Sequence, residues 1–141
     1  METVSSPCAC IIHTQLTLFS SSTPLPWLQV YGVEIPNHDG RAGMAALTLA
    51  QATPQPFSLK TLAATARASL PAYAVPLFVR ILPAVPATST FKHLKSTLRE
   101  EGADPSKCPD PVYVLSEDSA VGYDRLTTDR WAQIIAGKAR I

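Results

Sequence analysis

No G-x-x-x-x-G-K-S/T phosphate loop, no G-x-G-x-x-G dinucleotide fingerprint and no G-x-S-x-G nucleophile elbow occurs in this 141-residue chain. The common backbone cradles for phosphates and acyl groups are therefore missing. The 3 cysteines, Cys8, Cys10 and Cys108, are odd in number and have no second Cys/His pair at ligand spacing. That pattern excludes a disulfide framework or a zinc site and predicts a reducing, intracellular compartment. Long apolar runs are lacking as well, since nothing approaches the roughly eighteen residues of a membrane helix. Glu2 stands where a signal peptide wants positive charge. Twelve basic residues against 11 acidic ones leave a net charge of +1, and only 7% of the residues are aromatic. This balance argues against a nucleic-acid interface, so any partner must be recognised locally.

Proline, by contrast, is plentiful at 13 residues, and it punctuates the chain. Residues 1–26 are rich in Ser and Thr, end in Thr-Pro-Leu-Pro and keep neither helical nor strand periodicity. They read as a flexible leader ahead of a domain at 27–141. Trp27 to Ile35 alternates as a strand, Pro36 to Gly40 is a turn, and Gly43 to Ala50 is a second strand, which together predict a hairpin. A single histidine in that turn, His38, reads as a turn residue without a partner rather than as a ligand or base. Gly32, Gly40 and Gly43 read as turn and backbone-approach positions.

Ser58 is placed to cap a helix in which Leu59, Leu62, Ala63, Ala66 and Leu70 recur on one face until Pro71 stops it. Leu77 to Leu82 has strand composition with Arg80 its only charge. A further helix should close near Gly102, Pro111 to Leu115 offers an edge strand, and a last helix runs from an N-cap at Thr127 to Gly137. Leu126 and Trp131 are spaced as a hydrophobic staple on that helix. These elements predict an α+β fold: a small sheet with a front hairpin, packed by about three helices.

Between the third strand and the Gly102 helix lies Pro86 to Gly102, PATSTFKHLKSTLREEG, with Lys92 at the helix mouth and Ser89 or Thr90 available as a cap. Lys92, Lys95 and Arg99 share a stripe at i, i+3 and i+7, while Phe91, Leu94 and Leu98 occupy the neighbouring, inward stripe. Most such stripes are solvated helix faces.

Six separated motifs, in order, change that balance for Lys92. They are Val30-Tyr31-Gly32-Val33, Gly40-Arg41-Ala42-Gly43-Met44, Leu70-Pro71-Ala72-Tyr73-Ala74-Val75-Pro76, Thr88-Ser89-Thr90-Phe91-Lys92, Glu101-Gly102, and the closing segment from Leu126-Thr127 to Arg140-Ile141. Together they resemble the C-terminal domain of the AMP-forming acyl-CoA synthetases, above all the fatty acid transport protein and very-long-chain acyl-CoA synthetase branch. The resemblance covers about Gln29 to Ile141. Phe91 stands where many superfamily members have glycine.

The resemblance implies the mobile lid of a long-chain or very-long-chain fatty acyl-CoA ligase. In that enzyme a fatty acid and ATP give an acyl-adenylate and pyrophosphate, and coenzyme A then displaces AMP. It implies that Lys92 is the catalytic lysine of adenylation, with Lys95 and Arg99 as weaker candidates for contacts to the phosphates of ATP or coenzyme A. ATP, Mg2+ and coenzyme A are the cofactors implied for the full-length enzyme, none of them held by this chain alone. The partners implied are a large N-terminal adenylation domain, missing here as in a truncated chain, and a long-chain fatty acid. Membrane association is implied only through the full-length protein, whose relatives sit at the endoplasmic reticulum, peroxisome, lipid droplet or plasma membrane. The alternative is a non-catalytic, detached lid that acts as a binding or regulatory module.

Overall fold

The structure is a computed structural model that describes residues 27–49, 58–84, 91–117 and 122–138, without the side chains of residues 27 and 91–93. The leader 1–26, the linker at 52–57, the loop with Pro86, Thr88, Ser89 and Thr90, and the last three residues lie outside it.

Strands β1 (Trp27–Glu34) and β2 (Arg41–Thr48) form the expected front hairpin, in antiparallel register from Trp27 opposite Thr48 to Glu34 opposite Arg41. Gly32 and Gly43 face each other inside this ladder, so they are strand residues rather than turn residues. The turn itself needs two left-handed positions, supplied by Asn37 at φ 64° and Gly40 at φ 85°. His38 corrects the sequence reading. Its Nε2 donates to the Ile134 carbonyl oxygen at 2.8 Å, which requires the Nε2–H tautomer. A residue 96 positions away supplies that partner, so no local pattern announces it.

Helix α1 (Leu59–Ser69) crosses from β2 to β3 (Phe78–Leu82), which runs parallel to β2. Ser58 caps it, its hydroxyl accepting from the Thr61 amide at 3.4 Å. Leu62, Ala63 and Ala66 form the buried stripe. After a single 3-10 turn, Ala72–Ala74, the chain enters β3. Helix α2 (Phe91–Glu101) then closes at Gly102, whose φ of 64° and amide bond to the Leu98 carbonyl make the left-handed cap.

Strand β4 (Val112–Leu115) pairs antiparallel with β3 on one side and with β5 (Tyr123–Arg125) on the other. It is therefore an interior strand and not the edge strand its composition suggested. The edge on this side, β5, is three residues long and two of them are charged, so it carries no readable alternation. Helix α3 (Thr128–Ile135) starts on Thr127, whose hydroxyl accepts from the Arg130 amide at 3.3 Å. Leu126 and Trp131 are both buried in one cluster beside this cap, as a staple requires.

The five strands lie in sequence order, all neighbours antiparallel except β2 and β3. Side chains alternate cleanly between two cores. Val30, Ala45, Leu47 and Val79 meet Leu62, Ala63 and Ala66 of α1 on one face. Tyr31, Val33, Met44, Phe78, Val112 and Val114 meet Leu94 and Leu98 of α2 and Trp131 and Ile134 of α3 on the other. Phe78 and Trp131 pack edge to face with ring centres 6.2 Å apart. The α+β assignment holds, with helices on both faces of a mixed sheet.

Candidate functional site

Helix α2 begins at Phe91, so the backbone of Lys92 sits in its first turn, at the helix mouth where the sequence put it. Leu94 and Leu98 are buried and hold α2 on the sheet near β1. Lys95 is half-buried and Arg99 exposed. Burial, and then the charge of Arg99 one turn further on, lower the Lys95 ammonium from its ordinary 10.5. The two cations thus share a face of α2. The Lys92 side chain is outside the described residues.

At the far end of α2 lies a second polar group that the sequence reading noticed only as a lone charge. Arg80, in the middle strand, is 2% exposed on a face otherwise filled by Phe78 and Leu82. Its Nη1 donates to Oε2 of Glu101, the last residue of α2. Its Nε and Nη2 both donate to Oδ2 of Asp110, at 3.1 and 2.7 Å. Burial opposes the Arg80 charge, yet the bonds to Asp110 and Glu101 outweigh it and leave the guanidinium above its ordinary range.

The Cys108 thiol lies 3.7 Å from Nη1 and 3.4 Å from the Gly102 carbonyl oxygen, and burial pushes its pKa up, which keeps it a neutral thiol. Among the described residues the buried Tyr31 hydroxyl meets no partner at good hydrogen-bond geometry, and burial raises its pKa too, with the nearby Arg80 opposing. The signal for this cluster was present in one feature: a charge at a core-facing parity within a strand. Its partners lie 21 and 30 residues away, beyond any local motif.

Outside this cluster, between the hairpin and the end of α2, runs an open groove of about 400 Å³. Arg41, Arg99 and Lys107 line it together with Glu34, Glu100, Glu101 and Asp104. The signs are interleaved, so the groove does not present the concentrated positive field that a polyphosphate needs. Among the described residues no group of three or more His, Cys, Asp and Glu side chains is placed to hold a metal ion.

The family model described as "AMP-binding enzyme C-terminal domain" matches residues 28–92. The chain is 44% identical to Long-chain fatty acid transport protein 3 of Homo sapiens over 125 residues, 88% of this chain and 18% of that protein. Residues 28–92 belong to the AMP-binding enzyme C-terminal domain family. This AMP-binding C-terminal domain is also 48% identical over 89 residues to Medium/long-chain-fatty-acid--CoA ligase FadD6 of Mycobacterium tuberculosis, 62% of this chain and 14% of that one. It is 51% identical over 79 residues to Isopenicillin N epimerase component 1 of Hapsidospora chrysogena, 54% of the chain and 13% of the relative.

The chain thus spans less than a fifth of each of these relatives. No solved structure matches the chain. Within the AMP-binding C-terminal domain the family match ends on Lys92, in the first turn of α2, while Arg80 lies inside the match and Glu101 and Asp110 lie beyond it. The described residues fit neither Mg2+ nor a phosphate chain on their own.

Proposed function

We propose that this domain is the lid of an AMP-forming long-chain or very-long-chain fatty acyl-CoA ligase, and that Lys92 is the group it brings to adenylation. The observation that carries the reading is the coincidence of two positions. The family match stops on Lys92, and α2 starts one residue before it, so the lysine stands at the leading end of a helix anchored to the sheet. Relatives named as fatty acid transport proteins and as a medium/long-chain-fatty-acid–CoA ligase support the substrate class.

In the overall reaction a carboxylate oxygen attacks the α-phosphorus of ATP, pyrophosphate leaves, and the thiol of coenzyme A then displaces AMP from the acyl carbon. An ammonium group offsets the negative charge shared by the entering carboxylate and the phosphate during the first displacement. The lid's own contribution is that charge and its placement. The pockets for ATP, Mg2+, coenzyme A and the fatty acid belong to the adenylation domain in this reading.

The test is a fusion of the chain to the N-terminal region of one of its acyl-CoA ligase relatives. ATP–pyrophosphate exchange reports the first half-reaction, and acyl-CoA formation from supplied acyl-adenylate reports the second. Lys92→Ala should lower exchange by about 10²-fold or more, the scale of removing one electrostatic group from a charge-developing centre. The second half-reaction should stay nearly unchanged. Exchange that survives Lys92→Ala would remove Lys92 from the mechanism.

A further inference from the structure

A buried ion cluster is an inefficient way to hold a helix on a sheet. Desolvating three charged groups costs about as much as their attraction returns, and apolar residues of the same volume often hold equally well or better. Leu94 and Leu98 already supply that apolar attachment for α2. What apolar packing lacks is direction, because the hydrophobic effect depends on area and tolerates a helix that rolls or tilts.

A guanidinium fork is directional, with donors fixed in one plane. Arg80 aims this fork from the central strand at two points: the last residue of α2, Glu101, and Asp110, the end of the connection from α2 to β4. One side chain therefore grips both ends of the segment that reverses the chain after α2.

The lever arm makes this matter. Glu101 and Lys92 are nine residues apart on one helix, so at the rise of an α-helix their backbones stand about 13 Å apart. Pivoting α2 by roughly 5° at the Glu101 end would move the Lys92 backbone by about 1 Å, and a misplacement of that size can cost on the order of 10²-fold in rate.

We propose that Arg80, through Glu101 and Asp110, is a positioning residue for Lys92: the cluster fixes the direction of α2 and thereby the line along which its first turn meets the adenylation domain. The inference rests on the lid reading above. The Tyr31 hydroxyl is buried beside the cluster, where the charge of Arg80 acts on it.

The fusion protein tests this with Glu101→Gln, with the charge-free triple variant Arg80→Met, Glu101→Gln, Asp110→Asn, and with Arg80→Lys. The first keeps the shape and an acceptor, and the second removes the whole cluster without stranding a buried charge. Each is read by pyrophosphate exchange, by acyl-CoA formation from supplied acyl-adenylate, and by melting temperature.

The expected result is a fall in exchange of about tenfold or more, an almost unchanged second half-reaction, and partial recovery in Arg80→Lys relative to the triple variant. Equal loss in both half-reactions, tracking the melting temperature, would reduce the cluster to a structural role and overturn the proposal. Unchanged exchange in the triple variant would overturn it as well. Lys92→Ala in the same fusion separates the two claims. If that change leaves exchange intact, the lid reading falls and takes this inference with it; if it abolishes exchange while the cluster variants do not, only the positioning role is lost.

Discussion

The two faces of the sheet solve the same packing problem differently. On the α1 face, contact is made by closeness: Ala63 and Ala66 are buried without bulk, and the backbone at Gly122 comes against the helix. Polar bonds there involve neutral acceptors: the buried Tyr123 hydroxyl donates to the Pro76 carbonyl oxygen at 2.7 Å, and Arg67 Nη2 of α1 donates to the Ser116 carbonyl oxygen at 2.7 Å. On the α2 and α3 face, an ion cluster is set into the core itself, between Phe78 and Leu82. Close packing fixes how near a helix lies, whereas directed hydrogen bonds also fix its angle. The face with the buried, charged fork is the one whose helix carries Lys92.

The largest effect that can break this contrast is expected at Arg80. Arg80→Met alone strands Glu101 and Asp110, whose side chains are 30% and 15% exposed. It should cost about 3–5 kcal/mol in chemical denaturation, as removal of one partner from a buried ion pair does. The triple charge-free variant should recover most of that loss. A triple variant as unstable as the single one would mean that the cluster holds the fold by net attraction, and the contrast between the faces would collapse.

The α1 face breaks by a different change. Gly122 has φ +83°, and a Cβ placed there would lie 2.8 Å from the Lys60 Cα and 3.1 Å from the Leu59 carbonyl oxygen, both of them backbone. Gly122→Ala combines left-handed strain with overpacking, so about 2–4 kcal/mol is expected. The loss should appear in the denaturation midpoint, with amide exchange of α1 accelerated more than that of α2. Equal acceleration in both helices would show that the two faces unfold as one unit and do not carry separate constraints.

These two sites also show where sequence reading succeeds and stops. Ser58, Thr127, Gly102 and Gly137 mark helix ends because a cap is a local hydrogen-bond problem solved within a few residues. Strands β1 to β4 were legible from alternation or composition, with boundaries within about two residues, whereas β5 was missed. Arg80 was visible as a charge out of place, but not what it binds, since Glu101 and Asp110 come to it only after α2 and β4 have docked. Gly122 could not be distinguished from a turn glycine, because the atoms that forbid a side chain belong to α1, some sixty positions earlier. Lys92 was reached by a different route, through the order of several motifs rather than through any physical property of its own surroundings.

The smallest expected effect tests how the chain leaves α2. Asp104 follows the Gly102 cap, and its carboxylate accepts from the Ser106 hydroxyl at 2.6 Å and the Ser106 amide at 2.9 Å. These bonds, led by the hydroxyl, lower its pKa from the ordinary 3.8, with Lys107 assisting and burial opposing. A carboxyl held lower in the folded chain than in the unfolded one adds stability that is fully present above the unfolded value. That stability is lost as the pH falls through the folded value. Asp104→Asn should therefore flatten the part of the stability profile just below pH 4 and leave the neutral-pH half-reactions of the fusion unchanged, since Arg80 bonds the two ends of this connection and not the turn between them. If Asp104→Asn slowed pyrophosphate exchange as Glu101→Gln is expected to, the direction of α2 would be set by the whole connection to β4, and Arg80 would be one of its several anchors.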